Sequence, residues 1–208
     1  MNKLLQVALT LAALSLVSTL EAAKVGDPAP DFTATDSHGT LHKLSDLKGK
    51  FTVLEWHNQG CPFVKSQYKG KMQKLQSKWT AKGVQWFSVV SSAPDTEGYV
   101  DAAEANEDLK KTKAHVTALF LDPSGTIGHA YDAKTTPHMF IINPKGILVY
   151  DGAIDNAPLT DQPVKKNKDG EPFINYLDQA LQELVEEKKD TPSVSTTVPY
   201  GCHVKYKP

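Results

Sequence analysis

One stretch constrains this chain more than any other: Glu55–Tyr68, which reads EWHNQGCPFVKSQY. The apolar run Phe51–Trp56 has the composition of a buried strand, and a polar turn, His57-Asn-Gln-Gly60, follows it. After Cys61 and Pro62, the residues Val64, Tyr68, Met72, Leu75 and Trp79 recur at helical steps along one face. Proline suits the first helical position, because its missing N–H would have no partner there. Cys61 is therefore expected where a buried strand meets a helix N-terminus. Unpaired N–H groups and the positive end of the helix dipole favour thiolate over thiol at such a point. The alternative is an inert core cysteine.

The ends of the chain set its compartment. Asn2 and Lys3 precede an apolar stretch from Leu4 to Leu20, and Glu21-Ala-Ala23 offers small residues for cleavage. This pattern predicts a secretory signal peptide over residues 1–23, and so a periplasmic or secreted protein without stable membrane insertion. The remainder suits one domain, expected over 24–189, followed by a tail over 190–208. The net charge of −1 and the lack of a long run of one sign argue against a nucleic-acid partner. Every basic residue is lysine, and the chain contains no arginine. Its two cysteines, Cys61 and Cys202, both lie beyond the leader, and an even pair in an exported chain points to a disulfide at some stage.

Along the rest of the chain, Asp31–Asp36 and Leu41–Leu44 flank a Ser37-His-Gly39 turn and read as a small hairpin. Val84–Val90 is nearly all apolar, as in a strand buried on both faces. A polar helix is expected over Thr96–Lys113 with Tyr99, Val100, Ala103 and Leu109 inward, then a strand at Thr117–Leu121 and a short helix at Thr126–Tyr131. Met139–Asn143 and Ile147–Asp151 flank Pro144-Lys-Gly146 as a second hairpin. Asp155–Glu171 reads as a long polar loop, and Pro172–Lys188 as a helix with Phe173, Leu177, Ala180, Leu181 and Leu184 inward. Alternating strands and helices closed by a hairpin and a helix predict an α/β fold, a central mixed sheet with helices on both faces.

These residues carry a resemblance. The order strand–Cys-Pro–helix, strand, helix, strand, Thr-Pro, hairpin, helix resembles the thioredoxin-like fold, here with an N-terminal hairpin and a C-terminal tail. The opening VGDPAPDF and the later LSDLKGK are similar to the alkyl hydroperoxide reductase/thiol-specific antioxidant family, whose members are called peroxiredoxins or redoxins. GCPFVKSQY, Tyr150-Asp-Gly-Ala-Ile-Asp-Asn156 and Gly201-Cys-His-Val-Lys-Tyr206 resemble its peroxiredoxin-like branch. The resemblance implies a thiol-dependent oxidoreductase, fed by a thiol-protein electron donor and acting on a protein disulfide or a peroxide. No flavin, nicotinamide or haem motif is present, so no cofactor is expected. Thr136-Pro137 corresponds to the cis-proline of the fold, and with Trp56, Gly60 and Pro62 it would form the surface that meets substrate or partner.

The departures from the family are informative. A thioredoxin carries Cys-x-x-Cys, but the fourth position here is Val64. A peroxiredoxin carries Pro-x-x-x-Thr-x-x-Cys, but those positions are Leu54 and Asn58, and the arginine that would polarise a peroxide is absent. Cys202 is then either a resolving cysteine on a tail that folds back to Cys61 or half of a permanent structural disulfide. The even positions Val198, Tyr200, Val204 and Tyr206 would lay the tail on the domain. Cys61 and Cys202 with His57, His138 and His203 also make a conceivable soft-metal set for copper or zinc, although no tight ligand spacing supports it. Glu55 is either a buried proton acceptor or a solvated strand-end carboxylate.

Overall fold

The computed structural model describes residues 22–157, 159 and 165–207. The expected leader lies outside them except for Ala22 and Ala23, as does the centre of the loop after Asp155. The chain enters through a hairpin, β1 (Thr33–Thr35) and β2 (Leu41–Lys43), and a 3-10 turn at Leu44–Leu47. Then follow β3 (Thr52–Trp56), α1 (Pro62–Gln67), α2 (Lys71–Thr80), β4 (Gln85–Val90), α3 (Ala102–Thr112), β5 (Ala118–Leu121) and α4 (Thr126–Ala130). The remaining elements are β6 (Thr135–Thr136), β7 (His138–Ile142), β8 (Leu148–Gly152), α5 (Tyr176–Leu181) and β9 (Cys202–His203).

Five strands form one sheet in the order β5-β4-β3-β7-β8, with β3, β4 and β5 parallel and β7 and β8 antiparallel to their neighbours. Strand β3 is central, and all five of its residues are buried. Its period of two sends alternate side chains into two cores. Val53 joins Met72, Trp79, Trp86, Met139 and Ile141 on one face. Leu54 and Trp56 join Phe87, Phe120, Tyr131 and Phe140 on the other. The expected fold class, a mixed sheet between helices, is the one observed.

Local boundaries depart from the sequence reading for identifiable reasons. Val64, Tyr68, Met72, Leu75 and Trp79 do share one core, but two helices carry them, not one. Tyr68 closes α1, and Gly70 opens α2 with φ of 114°, a left-handed conformation that costs glycine little. Helix α3 starts at Ala102 rather than Thr96, because Asp101 accepts the Glu104 N–H while the Glu104 carboxylate accepts the Asp101 N–H. That reciprocal cap fixes the start and turns Ala105 inward, leaving Tyr99 and Ala103 exposed. The last helix begins at Tyr176, where the Asn175 side chain accepts the Asp178 N–H, and its final turn, Gln182–Glu186, is π-helical.

Both edges of the sheet are covered. The N-terminal hairpin approaches β5, with Asp36 bridged to Phe120 and the Ser37 N–H donating to Leu119 O at 2.8 Å. On the other side the tail runs beside β8, where Thr196 bridges Asp151. The tail then crosses the molecule as β9, which pairs antiparallel with β6. Tyr206 ends the crossing: its ring stacks on His129 with centroids 4.1 Å apart, and its hydroxyl donates to Ala133 O. Val198, expected on the inner face, is 88% exposed, because the chain is still crossing from β8 towards β6 at that point.

Candidate active site

The turn after β3 builds the site. The His57 N–H continues the sheet by donating to Val89 O at 2.9 Å. Asn58 then tightens the loop: its side-chain Oδ1 accepts the Gly60 N–H at 2.7 Å, and its carbonyl accepts the Cys61 N–H at 3.1 Å. Pro62 is the first residue of α1 and is exposed, Gly60 is half-buried, and Cys61 itself is fully buried.

Two partners meet Cys61. Its thiol donates to Thr136 O at 3.1 Å, and the Thr136–Pro137 peptide that follows is cis. The second partner is Cys202, directly opposite Thr136 in the β6–β9 register. Both cysteines carry free thiols, and Cys202 packs against the core cluster that holds Cys61. Burial opposes the charge on Cys61, but hydrogen bonds from the Cys202 thiol, Thr136 and the backbone of Val64 and Cys202 outweigh it and lower its pKa. Burial pushes Cys202 up to about 11, helped by the Cys61 sulfur and the charge of Glu97 and opposed by Lys205. Of the two, Cys61 is the more acidic thiol.

Beneath the turn lies a buried polar network. Glu55 is fully buried, with Oε1 accepting from Tyr68 Oη at 2.7 Å and Oε2 accepting from Trp86 Nε1 at 2.8 Å and Gln76 Nε2 at 3.1 Å. The carboxylate is buried, not solvated at the strand end. His57 stands between Glu55, whose Oε1 is 3.7 Å from Nδ1, and Asp108 of α3, whose Oδ2 is 3.1 Å from Nε2. Burial disfavours the charged ring, but the two carboxylates, Asp108 first, overcome it and raise the pKa to about 9.

Other expected site residues fall elsewhere. Trp56 cannot meet a partner: it is fully buried on the opposite face from Glu55, packed on Tyr131 and Phe140, with its N–H donated to Ser91 Oγ. The soft-metal set does not assemble. His57 is committed to its carboxylates; His138 bonds Asp151 through Nε2 at 2.7 Å and accepts the Lys134 N–H at Nδ1; His203 points to the surface. Among the described residues, no three His, Cys, Asp or Glu side chains are placed to hold a metal ion.

The structure adds groups that the sequence did not single out. Tyr200 donates its hydroxyl to Asp155 Oδ1 at 2.6 Å and accepts from Gln67 Nε2 at 3.0 Å, while its ring lies against Phe63 of α1. Asp155 belongs to a motif that carried the resemblance and Tyr200 to the alternating face of the tail, but nothing in their spacing indicates that they meet. Asp108 sits in a polar helix with no local signal at all.

A thioredoxin-like sheet that presents a buried cysteine at a helix N-terminus beside a cis-proline, with a second thiol packed against its cluster, is that of a thiol-dependent oxidoreductase. Residues 25–151 match the model of the AhpC/TSA family, and the chain belongs to that family. Among curated relatives, the thiol-disulfide oxidoreductase ResA of Bacillus subtilis strain 168 is 27% identical, over 62% of this chain and 67% of its own. An uncharacterised conserved protein of Geobacillus kaustophilus superposes with a TM-score of 0.74 at 25% identity, covering 89% of this chain and 93% of that one. A structure provisionally described as a thiol:disulfide interchange protein DsbE, from Chlorobium tepidum, gives 0.51 at 28% identity over 62% of this chain and 85% of its own.

Proposed function

We propose that the protein is an exported thiol-disulfide oxidoreductase in which Cys61 is the nucleophile and Cys202 the resolving thiol. The observation that carries the reading is the placement of Cys202: strand β9 sets it opposite Thr136, whose carbonyl accepts the Cys61 thiol, and packs it against the Cys61 cluster. The Cys61 thiolate attacks one sulfur of a substrate disulfide, forming a mixed disulfide and expelling a substrate thiolate. Cys202 then attacks the Cys61 sulfur, closes the Cys61–Cys202 bond and expels the second substrate sulfur. The Cys202 proton passes to a departing thiolate. Two electrons have moved from the two thiols to the substrate, and a donor thiol protein returns them by the reverse exchange.

The position of Cys202 supports this reading. The tail is held against the domain by Tyr200, Thr197, Tyr206 and the β6–β9 pairing, so the resolving thiol is in place before any bond forms. Thr136, Pro137, Gly60 and Pro62 then frame the approach to the sulfur. A disulfide substrate fits better than a peroxide, since no arginine is present to supply planar donors to an O–O bond. Export rests on the leader pattern of residues 1–23 and on the paired cysteines; among the described residues no helix is long and apolar enough to cross a membrane. Non-reducing peptide mapping after oxidation tests the reading. A Cys61–Cys202 cross-link within one chain, and mixed disulfides that accumulate on Cys61 in Cys202→Ala, are expected. Two free thiols after oxidation, or a cross-link only between chains, would overturn it.

A further inference from the structure

The same tail that supplies Cys202 also covers Cys61. Strand β9 occupies the backbone edge of Thr135 and Thr136 next to the sulfur, the edge that an incoming extended peptide would need for pairing. Contact there is intimate: a Cβ on Gly201, whose φ is 141°, would lie 2.0 Å from Thr136 O. With β9 seated, Cys61 has no exposed surface. Downstream the crossing is pinned by Val204 N–H on Lys134 O and by Tyr206. Upstream it is pinned by Thr197, whose Oγ1 accepts the Ala153 N–H at 2.8 Å and contacts the Tyr150 hydroxyl. Between the two anchors the side chain that holds the strand down on α1 is Tyr200, through the buried carboxylate of Asp155, the amide of Gln67 and the ring of Phe63.

We infer that residues 200–206 are a lid that sets which disulfides reach Cys61, and that Tyr200 is its latch. A small disulfide reaches the covered sulfur after only a slight local parting of β9 beside Cys202. A disulfide embedded in a folded protein is attacked after β9 has left β6 and freed the Thr136 edge. Tyr200 is thus a specificity-determining residue for the exchange proposed above, on which this inference rests. The electron balance is that of the same exchange, with two enzyme thiols oxidised and one substrate disulfide reduced whichever substrate enters.

The test compares two oxidants of the reduced full-length protein: bis(2-hydroxyethyl) disulfide, and insulin as a folded protein disulfide. Second-order rate constants are measured for wild type, Tyr200→Phe and Tyr200→Ala. The ratio of the insulin to the small-disulfide constant is expected to rise about tenfold or more in Tyr200→Phe, which removes both hydrogen bonds of the hydroxyl, and further in Tyr200→Ala. Hydrogen exchange at the Val204 amide, which reports the lid, is expected to speed in parallel while the β3 amides stay protected. An unchanged ratio in variants whose Val204 amide exchanges faster would overturn the lid. So would an unchanged Val204 amide in both variants, since Tyr200 would then not be the latch. Failure of wild type to form the Cys61–Cys202 bond at all would instead overturn the parent reading, which the peptide map scores separately.

Discussion

Cys61 and Cys202 are displaced in opposite directions, and after burial each is the largest influence on the other. Replacing Cys202 by alanine removes the donor that stabilises the Cys61 thiolate, so the Cys61 pKa is expected to rise. Replacing Cys61 by alanine is expected to bring Cys202 down from about 11 towards the ordinary range of a thiol. Thiolate absorbance across pH in the two single-cysteine variants measures both, and movement in the same direction would break the pairing. His57 gives a second residue-level expectation. Its folded pKa of about 9 lies above the ~6.5 of an unfolded chain, so the folded protein holds the extra proton. The stabilisation is complete below about pH 6.5 and is lost as pH rises through about 9; it amounts to up to about 3 kcal/mol. Urea unfolding between pH 6 and 10 is expected to show that loss. His57→Gln is expected to flatten it, while losing about 3–5 kcal/mol at neutral pH because Glu55 stays buried without its cation.

At the scale of elements, what the sequence reveals depends on how local the cause is. The strand–Cys61–Pro62–helix junction was legible because an apolar run, a turn and a proline lie side by side. The break between α1 and α2 was not, because Val64 to Trp79 keep a helical period straight through a glycine whose left-handed φ only the coordinates show. His57 and Asp108 are 51 positions apart, and Tyr200 and Asp155 are 45 apart, so neither pairing has a local signature. The folded-back tail was legible from its aromatic ends, though not the outward turn at Val198. Gly201 decides whether β9 can form. Its φ of 141° is unfavourable for any residue with a Cβ, and that Cβ would overlap a backbone oxygen that cannot rotate away. Gly201→Ala is therefore expected to unseat β9, cost about 1–3 kcal/mol and lower the yield of the Cys61–Cys202 cross-link. A near-wild-type cross-link yield and an unchanged melting temperature would show that the strand accommodates the methyl group.

For the whole molecule, among the described residues the hairpin over β5 and the tail over β8 leave the sheet no long open edge, a protection against edge-to-edge aggregation. The tail therefore serves the fold as well as the proposed site, and the proposed Cys61–Cys202 bond would link redox state to stability. A bond spanning residues 61 to 202 closes a long loop in the unfolded chain and would stabilise the oxidised protein by up to about 4–5 kcal/mol in the chain-entropy account. Two features of the reduced protein work against so large a gap. The lowered pKa of Cys61 favours its thiolate and would make Cys61 a better leaving group from such a disulfide. The tail is also already anchored by Tyr200, Thr197 and Tyr206 without the bond, so reduction does not release it. The oxidised form is accordingly expected to be the more stable in denaturant, but by less than the full loop-closure value. Its reduction potential in a glutathione titration is expected near about −200 mV, where exchange with other thiol proteins runs in both directions. A potential below about −300 mV, together with a stability gap at the full loop-closure value, would mark the bond as a permanent brace and return Cys202 to a structural role.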